Sequence, residues 1–252
     1  MNIRTIIAKN PIEEKDGVLY FAKPPADIMP SRDWVPTDKR AWSFWRKQNY
    51  AFLKEEFAAL PNGAVLVDIG AGQSDFAEIT ERLNVCAVDF YPYAGIHVVC
   101  DLEHALPFKD ASADIVLLAN LLEHVREPNE LLKECYRILK PGGMLVGTVP
   151  FMIQIHQRPY DFYRYTHMNL EYLFKKHSFK NPHIKAVSNL YVLLFNVSTS
   201  FFTQTIREAR VKLPWRILWK AVRMGFVACR GMFEGRSSDS DSPLGYLFKT
   251  YR

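Results

Sequence analysis

The chain has 252 residues, 48% of them hydrophobic, which is enough for a sizeable core and suits one elaborated α/β domain better than two. A formal charge of +5 is too weak a bias to imply a polynucleotide partner. Cys86, Cys100, Cys135 and Cys229 are scattered without a Cys-x-x-Cys pair, so they read as reduced thiols of a cytosolic protein and exclude a disulfide frame or a cysteine zinc site. The opening MNIRTIIAKN lacks the apolar core of a signal peptide, and no apolar run reaches the roughly 18 residues of a spanning helix.

In chain order, the proline-rich first forty residues read as an extended arm, and a helical pattern from about Asp38 to Leu60 ends at Pro61-Asn62-Gly63. AVLVDIG is then a buried strand entering a tight turn, followed by a helix over about Ser74 to Leu83. VCAVDF, GIHVVC and ADIVLLAN are three more buried strands. A helix over about Pro128 to Lys140 places Leu131, Leu132, Cys135, Ile138 and Leu139 on one face and stops at Pro141-Gly142-Gly143, before the fifth strand MLVGTVP. A helix over about Asn169 to His177, a sixth strand over about His183 to Ser188, and a last strand GYLFKTY complete the pattern. Alternating strands and helices imply a Rossmann-like α/β architecture with parallel strands and right-handed crossovers, whose ligands bind at the carboxyl edge of the sheet. The expected division is residues 1–60 as arm and cap helix, 61–189 with 243–252 as the core, and 190–242 as a helical insertion with a mobile loop.

Asp68-Ile69-Gly70-Ala71-Gly72 lies between a strand and a helix, where glycines let the backbone approach a ligand closely. Asp89 ends the next strand about twenty residues on, where a carboxylate can accept hydrogen bonds from both ribose hydroxyls. These residues point to a nucleotide-containing cofactor, against the alternative of a plain glycine turn beside a surface acid.

DIGAG, AVDF, CDLEHALPF, LLANLLEHV and LKPGGMLVGTVP together resemble the ordered motifs of class I S-adenosylmethionine-dependent methyltransferases, over about residues 60–190 and the final strand. The resemblance is to the small-molecule, type 11-like branch. It implies a seven-stranded sheet whose last strand is antiparallel, with S-adenosylmethionine as cofactor. It further implies that Gly70 and Gly72 approach the methionine part, that Asp68 beside them belongs to the cofactor site, that Asp89 binds ribose, that Asp101 and Leu102 hold adenine, and that Asn120 faces the sulfonium. The family's third glycine is replaced by Ser74, which suits a helix N-cap. A dinucleotide enzyme is the rival, but a pyrophosphate fits poorly without that glycine. Some O-methyltransferases of this fold hold a divalent ion with a Glu three residues before a Glu-His pair; here Asn120 precedes Glu123-His124, so no metal is expected.

HQRPYDFYRYT, His156 to Thr166, packs one His, two Arg, one Asp and four aromatic rings into a segment hanging from the fifth strand. It is read as the acceptor pocket: His156 as a base, Asp161 orienting it or gripping a hydroxyl, Arg158 and Arg164 clamping a phosphate or carboxylate, and Tyr160 and Tyr165 stacking on a ring. The plainer reading is that Asp161 pairs with Arg164 and the tyrosines cap the core. The stretch is similar to one in small bacterial methyltransferases linked to surface-polysaccharide assembly. Residues 210–230 carry six basic residues and no acid, with Trp215, Leu218, Trp219, Val222 and Phe226 on one helical face, a pattern suited either to a membrane interface or to a lid over the sheet. The function expected is methyl transfer to a small or lipid-linked acceptor, a saccharide hydroxyl being the favoured instance, by a cytoplasmic protein peripheral to the inner membrane face. A non-catalytic membrane adaptor, an RNA methyltransferase and a dinucleotide-dependent enzyme are the alternatives, and nucleic acid is not an expected partner.

Overall fold

The computed structural model describes residues 2–24, 39, 42–73, 76–187, 189, 191–195, 197–198, 217, 221–222, 224–225 and 242–252. Nine strands form one sheet: β1 (Glu13–Lys15), β2 (Val18–Tyr20), β3 (Val65–Ile69), β4 (Asn84–Asp89), β5 (Val98–Val99), β6 (Ala113–Ala119), β7 (Leu139–Pro150), β8 (Lys180–Val187) and β9 (Gly245–Tyr251). Their order is β1-β2-β5-β4-β3-β6-β7-β9-β8. Neighbours from β5 through β7 pair in parallel, while β9 runs antiparallel to both β7 and β8. The fold is thus the expected Rossmann-like sheet with its last strand inserted in reverse, so β8 is parallel to β7 and ends at the same edge.

The central strands are apolar on both faces because both faces are covered. Val67 and Ile69 of β3 turn to one side, where Val88, Val116, Leu118 and the buried Leu131, Leu132 and Cys135 of helix α3 (Pro128–Ile138) pack. Leu66 turns to the other side, with Ile115, Leu117 and Val146, under Leu53 and Phe57 of helix α1 (Phe44–Ala58). Helix starts follow the capping chemistry: the Ser43 side chain accepts from the Arg46 N–H, Pro128 opens α3, and Thr166 caps helix α4 (His167–Lys176) by accepting from the Asn169 N–H.

Two elements differ from the sequence reading. The first residues do not form an arm over residues 13–20. Asp16 and Gly17, both with positive φ, make a tight hairpin turn, and β2 pairs in parallel with β5. The helix expected over 74–83 is a single turn, α2 (Ala77–Thr80); residue 74, its proposed cap, lies outside the described residues. Most of the basic 210–230 segment and the loop before β9 also lie outside them.

Candidate active site

The glycine turn leaves the carboxyl end of β3. Gly70 and Ala71 donate their N–H groups to the Val88 carbonyl at 2.8 and 3.0 Å, which folds the turn back onto β4. Gly70 has φ +75°, and a Cβ there would lie 2.6 Å from Leu121 Cδ1. Gly72 has φ +56° with nothing within 4 Å of a Cβ position, so its backbone faces open space. The turn thus combines a left-handed backbone with an approach clear of side chains, as a ligand lying against it requires.

Asp68 is buried at the end of β3. Asp89 Oδ2 accepts from the Gly72 N–H at 2.9 Å and Oδ1 from the Tyr91 N–H at 3.0 Å, so the carboxylate fixes the turn as well as marking the end of β4. A carboxylate accepts about four hydrogen bonds in all, so this role is compatible with a ribose. Asp101 holds the next loop, accepting from the Glu103 N–H and contacting His104 Nδ1, each at 2.9 Å. Leu102 is buried in the core beside it. Asn120 sits at the end of β6 with φ +52° and accepts from Trp45 Nε1 at 2.9 Å. Trp45, from α1, closes over this edge and stacks against Gly245, where a Cβ would lie 2.4 Å from its ring. The sequence reading placed Trp45 in a helix without connecting it to the site; nothing local to the sequence records that pairing.

The segment after β7 folds inward onto the turn after β6. Phe162 and Tyr163 donate backbone N–H groups to the Glu123 carbonyl at 2.8 and 3.2 Å. Asp161, its side chain only 2% exposed, accepts from Arg164 Nη1 at 2.5 Å and Nη2 at 2.9 Å, and from the His156 backbone N–H at 2.8 Å. Arg164 also donates to the carbonyls of Ile153, Gln154 and Tyr163. Burial acts to raise the Asp161 pKa, but the Arg164 guanidinium and the His156 N–H outweigh it and hold the carboxyl at about 2. Asp161 therefore positions His156 and is too weak a base to take a proton near neutrality, and Arg164 is a latch within the loop rather than a clamp for an acceptor anion. Tyr165 is buried, its hydroxyl donating to the Leu122 carbonyl at 3.1 Å, and caps the core instead of lining a pocket. Arg158 is exposed, next to a cis Arg158–Pro159 bond, and the Tyr160 ring packs edge-on to Phe162.

Beneath this loop Glu123, His124 and His156 meet. The two imidazole rings stand edge-to-face at 4.8 Å, and Glu123 Oε1 lies 3.7 Å from His124 Nε2 and 3.9 Å from His156 Nε2. Glu123 is fully buried, and burial pushes its carboxyl up to about 8. Burial likewise lowers His124 to about 4. The sequence reading treated Glu123-His124 and His156 separately; the loop brings them together. A second depression, between Glu56, Lys140 and Lys249, opens at the opposite edge of the sheet, away from all these groups.

The pattern of the family described as Methyltransferase domain matches residues 67–147. An uncharacterized methyltransferase of Mycobacterium leprae (strain Br4923) is 33% identical over 102 residues, 35% of this chain and 38% of that protein. A probable S-adenosylmethionine-dependent methyltransferase of Mycolicibacterium smegmatis (strain ATCC 700084 / mc(2)155) is 27% identical over 143 residues, 50% of this chain and 55% of that protein. The chain thus spans about two fifths to about half the length of these curated relatives. Among solved structures, a SAM dependent methyltransferase from Archaeoglobus fulgidus shares the fold with a TM-score of 0.53 and 16% identity, covering 82% of this chain and 94% of that one. The ordered motifs, the reversed last strand and these likenesses agree: residues 67–147 match a methyltransferase domain, on a fold shared with S-adenosylmethionine-dependent methyltransferases.

Proposed function

We propose that this protein transfers the methyl group of S-adenosylmethionine to a small or lipid-linked acceptor held beneath the 151–165 loop, a saccharide hydroxyl being the favoured instance. The observation that carries the proposal is the juxtaposition of two sets of groups at one sheet edge: the open Gly70–Gly72 turn fixed by Asp89, and the imidazoles of His124 and His156. The residues fit the cofactor on geometry: Gly72 leaves its backbone clear, Asp89 ends β4 beside it, and Asp101 with Leu102 follows β5.

When bound, the cofactor supplies an activated methyl on a sulfonium, and the rest is positioning and proton management. An acceptor hydroxyl must lose its proton as its oxygen bonds to the methyl carbon. Among the described residues the imidazoles of His124 and His156 stand at this edge, and His156 is the more exposed of the two, its side chain 21% accessible. Asp161 and Arg164 fix the loop that carries it. The exposed faces of Phe162 and Tyr163 suit stacking against a sugar or ring.

Calorimetric titration with S-adenosylmethionine, with NADH as control, tests the reading. Saturable binding, weakened about 30-fold or more in Asp89→Ala, is expected, since hydrogen bonds to a carboxylate contribute about 1.5–3 kcal/mol each. A folded protein that binds NADH instead would overturn it. His156→Ala should keep cofactor affinity and lose turnover on the true acceptor. The lipid-linked part draws support from Ile217, Val222 and Met224, which are exposed in the basic segment. Liposome co-sedimentation should be lost on Lys220→Glu with Arg223→Glu; equal sedimentation would remove that part alone.

A further inference from the structure

Glu123, His124 and His156 have an organisation that methyl transfer alone does not require. Among the described residues, both carboxylate oxygens of Glu123 and Nε2 of His124 are buried without a hydrogen-bond partner. Buried polar atoms are seldom left so, because each forfeits its hydration with no compensation. The two rings are held alike: His124 Nδ1 meets the Tyr160 carbonyl, and His156 Nδ1 meets the Gln154 carbonyl at 3.1 Å. A carbonyl can only accept, so in each neutral ring Nδ1 carries the proton and Nε2 presents a lone pair. Both lone-pair nitrogens then face the same carboxylate, with one donor atom from each of the three residues within 4.8 Å of the others. Three acceptors converge on one space, and a carboxyl proton can satisfy only one of the two nitrogens.

We propose that Glu123, His124 and His156 bind a first-row divalent cation of the zinc type, with one carboxylate oxygen and two imidazole Nε2 atoms as ligands. Bonds of about 2.0–2.1 Å in a tetrahedral site put donors about 3.4 Å apart. The 3.7 and 3.9 Å separations from Glu123 Oε1 lie within about 0.5 Å of that spacing, and the whole donor set lies within 4.8 Å, so the loop after β7 closes the remaining gap by moving His156 inward. Nδ1 held by a backbone carbonyl is the usual outer support of an imidazole ligand, fixing the ring and its tautomer. Two nitrogens and one oxygen favour zinc, cobalt or iron over magnesium or calcium, which require mostly oxygen. This donor set also differs from the carboxylate-rich one considered from the sequence: Asn120 is engaged with Trp45, and the third ligand comes from the loop after β7.

Three protein ligands leave a fourth position for water or an acceptor oxygen. His156 would then serve the acceptor through a cation, which lowers the pKa of a hydroxyl bound to it so that its proton passes to solvent before the oxygen bonds to the methyl carbon, rather than as a free base. That use rests on the proposed methyl transfer; the binding of the cation does not.

The test is metal binding by the full chain after chelator treatment, read by calorimetry with Zn²⁺, by visible absorption with Co²⁺, and by melting temperature. The expected result is one Zn²⁺ per chain, the strong visible bands of four-coordinate cobalt, and a melting temperature raised by Zn²⁺. Affinity should fall at least 100-fold in both His124→Ala and His156→Ala. Because Glu123→Gln alters a fully buried group and can fail to fold, His156→Ala carries the test. Zn²⁺ binding that is absent, or equally tight in the His124→Ala/His156→Ala double variant, overturns the site, as does a preference for Mg²⁺. S-adenosylmethionine titrated into the same samples separates this outcome from failure of the methyltransferase reading.

Discussion

Replacing Arg164 by alanine should destabilise the protein without abolishing cofactor binding. In the wild type its guanidinium makes a two-pronged pair with Asp161 and reaches the carbonyls of Ile153, Gln154 and Tyr163. Asp161, its side chain 2% exposed, would be left as a buried charge facing only His156, through its backbone N–H at 2.8 Å and its Nδ1 at 3.5 Å among the described residues. Breaking a fully buried pair from one side costs about 3–5 kcal/mol. Arg164 is 24% exposed and water can partly replace it, so the lower end, about 3 kcal/mol, applies. For a chain of this size that lowers the melting temperature by about 6–12 °C. Arg164→Lys should recover less than half, because an ammonium cannot reproduce the fork. The wild-type contribution also has a pH signature. The Asp161 carboxyl is held below its unfolded value, at about 2, so its stabilisation is fully present above about pH 4 and is lost as pH falls toward 2. Urea denaturation of the wild type, both single variants and Asp161→Asn/Arg164→Ala would measure it, the double variant being less destabilised than Arg164→Ala alone. If Arg164→Ala loses under about 1 kcal/mol while acceptor KM rises steeply, Arg164 is an acceptor clamp and the latch reasoning is wrong.

Gly70→Ala should lower stability markedly, through about 1–2 kcal/mol of left-handed strain added to its clash with Leu121, whereas Gly72→Ala should cost only the strain and show its main effect in S-adenosylmethionine affinity by calorimetry. Glu134→Gln should lose about 2 kcal/mol in urea, since the carboxylate accepts from the Leu106 N–H at 2.8 Å and from Arg137 at 2.6 and 2.9 Å. Burial acts to raise the Glu134 pKa, but Arg137 and the Leu106 N–H hold it below its ordinary value, so this stabilisation should fade on acidification below about pH 4.5 in the wild type and be absent in the variant. Gly147→Ala should destabilise by about 3 kcal/mol in the same assay, because a Cβ would lie 2.2 Å from the Leu118 carbonyl oxygen and 2.5 Å from Phe248 Cζ.

The parts of the fold legible in the sequence were those encoded locally. Runs such as VLVDI and ADIVLLA are short, apolar and rich in β-branched residues, which suits strands covered on both faces, and the prolines and glycines around them mark the ends. The hairpin at residues 13–20 was legible too, in Asp16-Gly17 between EEK and VLY, but the prolines further on drew the whole N-terminus into one reading. The glycine turn and Asp89 could be placed by spacing from the strand ends. The contacts of Trp45 with Asn120 and of Glu123 with His156 could not, because they join residues 75 and 33 positions apart and depend on how loops lie over the sheet edge.

The loop after β7 shows why residue type alone misassigns roles. Its charged and aromatic groups suggested a surface turned toward an acceptor, yet most of that chemistry faces inward. Arg164 and Asp161 neutralise each other and tie together the two ends of the loop, and Tyr165 seals the core against Leu122. Such a loop is stiff, and stiffness is what an in-line displacement demands of the groups around it. The groups the loop leaves exposed, the Arg158 side chain and the Phe162 and Tyr163 rings, are the ones free to meet an acceptor at the mouth of the proposed site. Substitutions there should shift acceptor KM with little change in stability, the opposite of the pattern expected at Arg164, so the two sets of variants separate the loop's architecture from its specificity.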